Sequence, residues 1–128
     1  MAEKAKILDR VHVYVLDDDE AVRDSIASIL AMHGAIVETF GSLGETREAK
    51  FDGKPGILLF DICLEDGFGH EFLVELRHRG VSLPAILMTG RFDSMTIEPI
   101  RQICDIIAEK PIDGDDLAMQ IAAAVMNG

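Results

Sequence analysis

Asp17 and Asp18 close one apolar run of this chain, Asp61 closes a second, Thr89 a third and Lys110 a fourth. Carboxylates are hard oxygen ligands, so a cluster of them suits a hard divalent cation. A carboxylate beside such a cation is also a nucleophile that can take up a phosphoryl group. A lysine supplies a mobile positive charge and a threonine a hydroxyl donor for the oxygens of that group. The chemistry requires the ends of four separate runs to meet.

An open parallel α/β sheet makes them meet, because its chemistry sits outside the carboxyl ends of the strands. Short apolar runs at 11–16 (VHVYVL), 35–40, 57–60 (ILLF), 85–88 and 105–109 read as strands. The third is apolar throughout, as expected of a strand buried on both faces. Amphipathic stretches at 20–33, 69–79 and 115–126 read as helices. The first carries Val22, Ile26, Ile29 and Leu30 at helical spacing and stops at Gly34. The next carries Phe72, Leu73 and Leu76 and stops at Gly80. Between the second and third strands, a helix would have only Leu43, Ala49 and Phe51 to bury, so a short or irregular second helix is expected. Pro99 interrupts the fourth crossover, where a helix either breaks or begins at Pro99 itself.

Five β-α repeats with right-handed crossovers predict a flavodoxin-like, doubly wound five-stranded parallel sheet. The expected strand order is 2-1-3-4-5, with helices on both faces. That order brings Asp17, Asp18 and Asp61 together, flanked by Thr89 and Lys110. Residues 1–10 read as an N-terminal extension and 11–128 as one domain.

Composition narrows the function. With 12 basic against 23 acidic residues and a net charge of −11, direct nucleic-acid binding is not expected. No apolar run approaches the roughly 20 residues of a membrane helix, and the first ten residues lack the apolar stretch of a signal peptide. Cys63 and Cys104 form neither a disulfide framework nor a metal spacing, so a cytoplasmic protein with reduced thiols is expected. The four histidines (His12, His33, His70 and His78) show no partner pattern and are expected at the surface or at helix ends.

The motifs VLDDDEAVR, ILLFDI, AILMTG and AEKP occur in order and cover essentially the whole chain. Together they resemble the response-regulator receiver domain of bacterial two-component signalling, in the branch related to nitrogen-fixation and light-response regulators. The resemblance implies a role for each residue. Asp61 is the phosphoacceptor, becoming an acyl phosphate. Asp17, Asp18, Asp61 and the backbone carbonyl of Cys63 hold Mg2+. Lys110 pairs with Asp61 and then with a phosphoryl oxygen, and Thr89 donates its hydroxyl to another. Pro111 stands at the family's cis-peptide site. The implied donor is a histidine kinase or a histidine phosphotransfer protein docking near Val22, Ile26 and Ile29. The product is a signal passed to a downstream protein, not turnover of an external substrate. A monomer or a phosphorylation-dependent dimer is implied, and with no output domain expected after Gly128, a stand-alone receiver.

Three departures qualify that reading. Ile107 occupies the position where the family usually has Tyr or Phe, so the threonine-to-aromatic relay lacks its ring. The segment from Thr89 to Lys110 is about one residue short, which predicts a short, displaced or mobile fourth helix. Leu64 and Glu65 replace a Met-Pro pair after Asp61 and bring one more acid near the site. The alternative is therefore a receiver-like binding module that works independently of phosphorylation through an atypical helix 4/strand 5 face. An aspartate-nucleophile phosphatase needs an acid two residues after the nucleophile, and Cys63 stands there. Capping offers plainer roles: Asp19 and Glu20 suit the start of the first helix. Finally, crowding Asp17, Asp18 and Asp61 together is expected to raise the pKa of at least one by like-charge repulsion.

Overall fold

The structure is a computed structural model and describes residues 6–90 and 94–127. The elements are β1 (His12–Leu16), α1 (Glu20–Met32), β2 (Ile36–Phe40), a 3-10 turn (Gly44–Thr46), β3 (Gly56–Asp61), β4 (Cys63–Leu64), β5 (Gly67–Phe68), α2 (Gly69–His78), β6 (Ala85–Thr89), α3 (Ser94–Arg101), β7 (Ile106–Glu109) and α4 (Gly114–Asn127). Five strands form one parallel sheet in the order β2-β1-β3-β6-β7, which is the predicted order. The pair β4-β5 is a separate antiparallel hairpin with no counterpart in the sequence reading.

Alternation along the strands sorts the core into two layers. Tyr14, Leu16, Leu58, Phe60 and Leu87 point to one face, where Phe72, Leu73 and Leu76 of α2 and Ile97 and Ile100 of α3 cover them. Val13, Val15, Ile57, Leu59, Ile86 and Met88 point to the other, beneath Ile26 and Leu30 of α1 and Leu117, Ala118 and Ile121 of α4. The helices therefore lie on both faces. Every residue of β3 is buried, as its unbroken apolar run requires. Leu8, within the expected extension, is also fully buried, and its N–H donates to the His33 carbonyl. Residues 1–5 of that extension lie outside the described residues.

The helix ends follow local chemistry. The Asp19 carboxylate caps α1 by accepting the Val22 N–H, and Glu20 sits in the first turn. Gly34 and Gly80 follow α1 and α2 with φ of +95° and +91°. The Asp113 carboxylate accepts the N–H groups of Asp115 and Asp116 at the start of α4. The weak second crossover is reduced to the 3-10 turn, and Phe51 from the same segment fills the core beside Tyr14, Phe40, Phe60 and Phe72.

Two expectations need correction. Pro99 neither breaks a helix nor starts one: α3 runs through it from Ser94 to Arg101. Its ring removes one N–H bond, but the helix ends two residues later, and buried Ile97 and Ile100 hold it to the sheet. The helix is short, as predicted. His33 lies at the end of α1, one of the two places expected, but it is buried and has a partner. Its Nε2 lies 2.9 Å from Asp115 Oδ1, joining the end of α1 to the start of α4.

Gly69 begins α2 directly against β3. A Cβ there would overlap the Asp61 carbonyl oxygen and crowd the Phe60 side chain. Both partners belong to the central strand and cannot yield cheaply. Gly69→Ala is therefore expected to cost about 1–3 kcal/mol in a denaturant titration, and to shift the Asp61 and Ile62 backbone resonances most.

Candidate functional site

β1 and β3 are neighbours, with Leu16 paired to Phe60, so Asp17 and Asp61 emerge side by side at the carboxyl edge. Asp17 is fully buried and Asp61 is 6% exposed, while Asp18 is the more open of the three acids. One carboxylate oxygen from each lies within 4.8 Å of the other two. Lys110 follows β7, two strands beyond β3, and reaches back over the end of β6. Its Nζ donates to Asp61 Oδ2 at 2.7 Å and to Asp17 Oδ2 at 2.9 Å.

The remaining oxygens of the buried acids are also occupied. Asp17 Oδ1 accepts the Asp19 N–H at 2.9 Å, and Asp61 Oδ1 accepts the Cys63 N–H at 3.2 Å. Arg23, to which the sequence reading assigned no role, donates from Nη1 to the Asp17 carbonyl at 2.8 Å. An arginine one turn into a helix that follows an acidic pair was the available signal. Thr89 is buried at the end of β6, level with Glu109, and its carbonyl accepts the Lys110 N–H at 2.7 Å. The sheet thus gathers the three acids and the lysine, with the threonine on the strand between them. Cys63 opens the hairpin with its side chain exposed, and Glu65, also exposed, lies in its turn. Ile107 is half-buried against the α2/α3 layer of the core and pairs with Leu87.

Three carboxylates face one ammonium, so the cluster stays net negative. Burial pushes the Asp61 carboxyl above its ordinary value of 3.8. The Lys110 hydrogen bond and charge oppose that rise, and the Asp17 charge adds to it. The direction matches the expected crowding, but burial rather than like-charge repulsion is the main cause. Burial alone would lower the Lys110 ammonium, yet Asp61 and Asp17 outweigh it and raise it above 10.5. Hard oxygen donors with residual negative charge fit a small divalent cation and not a thiophilic one.

The pKa directions set a pH dependence. The folded chain keeps the Asp61 proton to higher pH than the unfolded chain does, so stability falls as pH rises through that window. The stability contributed by the raised Lys110 is complete below 10.5 and is lost as pH climbs above it. Asp61→Asn removes the carboxylate whose ionisation burial opposes. Without divalent cations it is expected to unfold at higher denaturant than the wild type at pH 7, and to lose that advantage near pH 3. An equal advantage at both pH values would contradict the assigned cause.

Comparison with known proteins agrees with this geometry. The family model described as the response regulator receiver domain matches residues 13–122. The transcriptional regulatory protein FixJ of Azorhizobium caulinodans is 31% identical over 114 residues, covering 88% of this chain and 54% of that protein. The structure of full-length FixJ from B. japonicum superposes with a TM-score of 0.82 at 27% identity, covering 93% of this chain and 59% of that one. A CheY-like response regulator receiver domain protein from Methanospirillum hungatei gives 0.80 at 26% identity, covering 91% and 94%. The chain spans about half the length of the FixJ relatives that it matches. With four strand ends gathered as described and the family model spanning nearly all of the sheet, the chain belongs to the response regulator receiver domain family.

Proposed function

We propose that this receiver accepts a phosphoryl group on Asp61 from the phosphohistidine of a histidine kinase or a histidine phosphotransfer protein. The supporting observation is the Lys110 ammonium held between Asp17 and Asp61 within the group of three acids. An Asp61 carboxylate oxygen attacks phosphorus, the phosphorus–nitrogen bond breaks, and the donor imidazole leaves with its electron pair and takes a proton. The product is an acyl phosphate.

Asp17, Asp18, Asp61 and the Cys63 carbonyl are the residues that would hold Mg2+, which neutralises charge between the two anionic reactants. Lys110 releases Asp61 Oδ2 and follows the charge to a phosphoryl oxygen, as a point charge on a flexible stem can. The Thr89 hydroxyl donates to another phosphoryl oxygen. The role is signalling by protein contact and not turnover of an external substrate. The setting proposed is the cytoplasm, which suits the two free thiols. Among the described residues, no helix is long and apolar enough to cross a membrane.

Intact mass after incubation with acetyl phosphate and Mg2+ tests the acceptor. The wild type should gain one phosphoryl group, and Asp61→Asn should gain none. Retention of the gain in that variant would move the acceptor elsewhere, and sustained hydrolysis of a generic phosphomonoester would point to a phosphatase.

One observation favours a second reading. Ile107 packs half-buried against the α2/α3 core layer and carries no ring to swing. In that reading the α3/β7 face binds its partner regardless of phosphorylation. Beryllofluoride with Mg2+ separates the two. Shifts at the Ile107 and Ile97 amides mean that the site drives the face. Shifts confined to residues around Asp61 mean that the face is constitutive.

A further inference from the structure

We propose that Asp66 is a positioning residue for the acidic site: its carboxylate clamps the hairpin after Asp61 onto the 3-10 turn that replaces the second crossover helix. What the positioned loop does rests on the phosphoacceptor reading, whereas the clamp stands on geometry alone.

The hairpin has only two residue pairs, Cys63 with Phe68 and Leu64 with Gly67. A ribbon that small does not hold its own place. At its base, the Cys63 N–H is bonded to Asp61 Oδ1, and the Gly69 N–H to the Ile62 carbonyl. At its tip, Asp66 takes over. Oδ1 accepts the Leu43 N–H and Oδ2 accepts the Gly44 N–H, each at 3.1 Å. These amides open the 3-10 turn and have no partner within it. Two consecutive amides, one on each oxygen, fix the direction of the carboxylate as well as its distance. Both bonds favour the ionised form, and they hold the Asp66 carboxyl below its ordinary range, the Leu43 bond most of all.

Packing fits the clamp. A Cβ on Gly67 would lie 2.6 Å from Leu43 Cδ1, so the tip and the turn are already in close contact. Leu43 is itself anchored, since its carbonyl accepts both the N–H and the hydroxyl of buried Thr46. The segment also meets Arg23 of α1, which is bonded to the other acid-bearing loop. A Cβ on Gly41 would lie 2.9 Å from Arg23 Nη1, the atom that donates to the Asp17 carbonyl. The remnant of the second crossover therefore braces the acidic site from two sides, and Asp66 is its link to the Asp61 side.

The test uses the full chain with Asp66→Ala and Asp66→Asn, the second retaining one accepting oxygen. Amide hydrogen exchange is read at Leu43, Gly44 and Cys63, and Mg2+ affinity by NMR titration. In Asp66→Ala, exchange should speed about ten-fold at all three amides, and Mg2+ binding should weaken about five-fold. Asp66→Asn should fall between it and the wild type. Faster exchange confined to Leu43 and Gly44, with Cys63 protection and Mg2+ affinity unchanged, would overturn the proposal. Unchanged exchange at Leu43 and Gly44 would overturn it as well. A wild type that binds no Mg2+ would sink the phosphoacceptor reading instead, and the clamp would then be judged on Cys63 protection alone.

Discussion

Two carboxylates stand buried at the ends of neighbouring strands, and a single ammonium from two strands away lies between them. Anions withdrawn from water without a partner are costly, and two side by side repel each other. Lys110 reduces both costs at once, and does so only if β1, β3, β6 and β7 lie in that order. The sheet topology and the charge cluster are therefore one arrangement. Wrong crossovers would bury Asp17 and Asp61 with nothing to offset them. The compensation is also incomplete, since three acids face one base. A site that is net negative and rich in hard oxygen donors suits a small divalent cation.

The two faces of the sheet are built differently. On one, α1 and α4 pack as regular helices, joined by the contact of buried His33 with the exposed carboxylate of Asp115. On the other, α2 and α3 are shorter, and the second crossover has contracted to one turn plus a core-filling Phe51. The 3-10 turn on the irregular face holds the hairpin that follows Asp61. Short segments with few apolar anchors open locally at low cost, so mobility coupled to the site is expected to concentrate there.

Ile107 bears on how a signal could leave the site. It lies on β7, three residues before Lys110, and packs half-buried against the layer that also holds α3. A branched aliphatic side chain has neither the reach nor the two-position rotation of an aromatic ring. Any coupling between the acids and the α3/β7 face must therefore pass through movement of backbone or of a whole short helix, in which Pro99 has already removed one hydrogen bond.

Features encoded by near neighbours are legible in the chain alone. Short apolar runs and period-3.6 patterns placed all five sheet strands and the three long helices to within a residue or two of where they lie. Asp19 as a cap and Gly34 and Gly80 as stops were legible because capping is local. The acids at strand ends were legible because an α/β sheet always presents those ends together. The remaining features arise only on folding, where partners are far apart and neither carries a local signature. His33 and Asp115 lie 82 residues apart, and Lys110 and Asp17 lie 93 apart. The hairpin at Cys63–Leu64 and Gly67–Phe68 is too short to show a period. The helix through Pro99 is held by the burial of Ile97 and Ile100, which outweighs a local preference against it. The dominance of burial in raising Asp61 likewise depends on how deeply the assembled sheet encloses it, and no pattern in the chain records that depth.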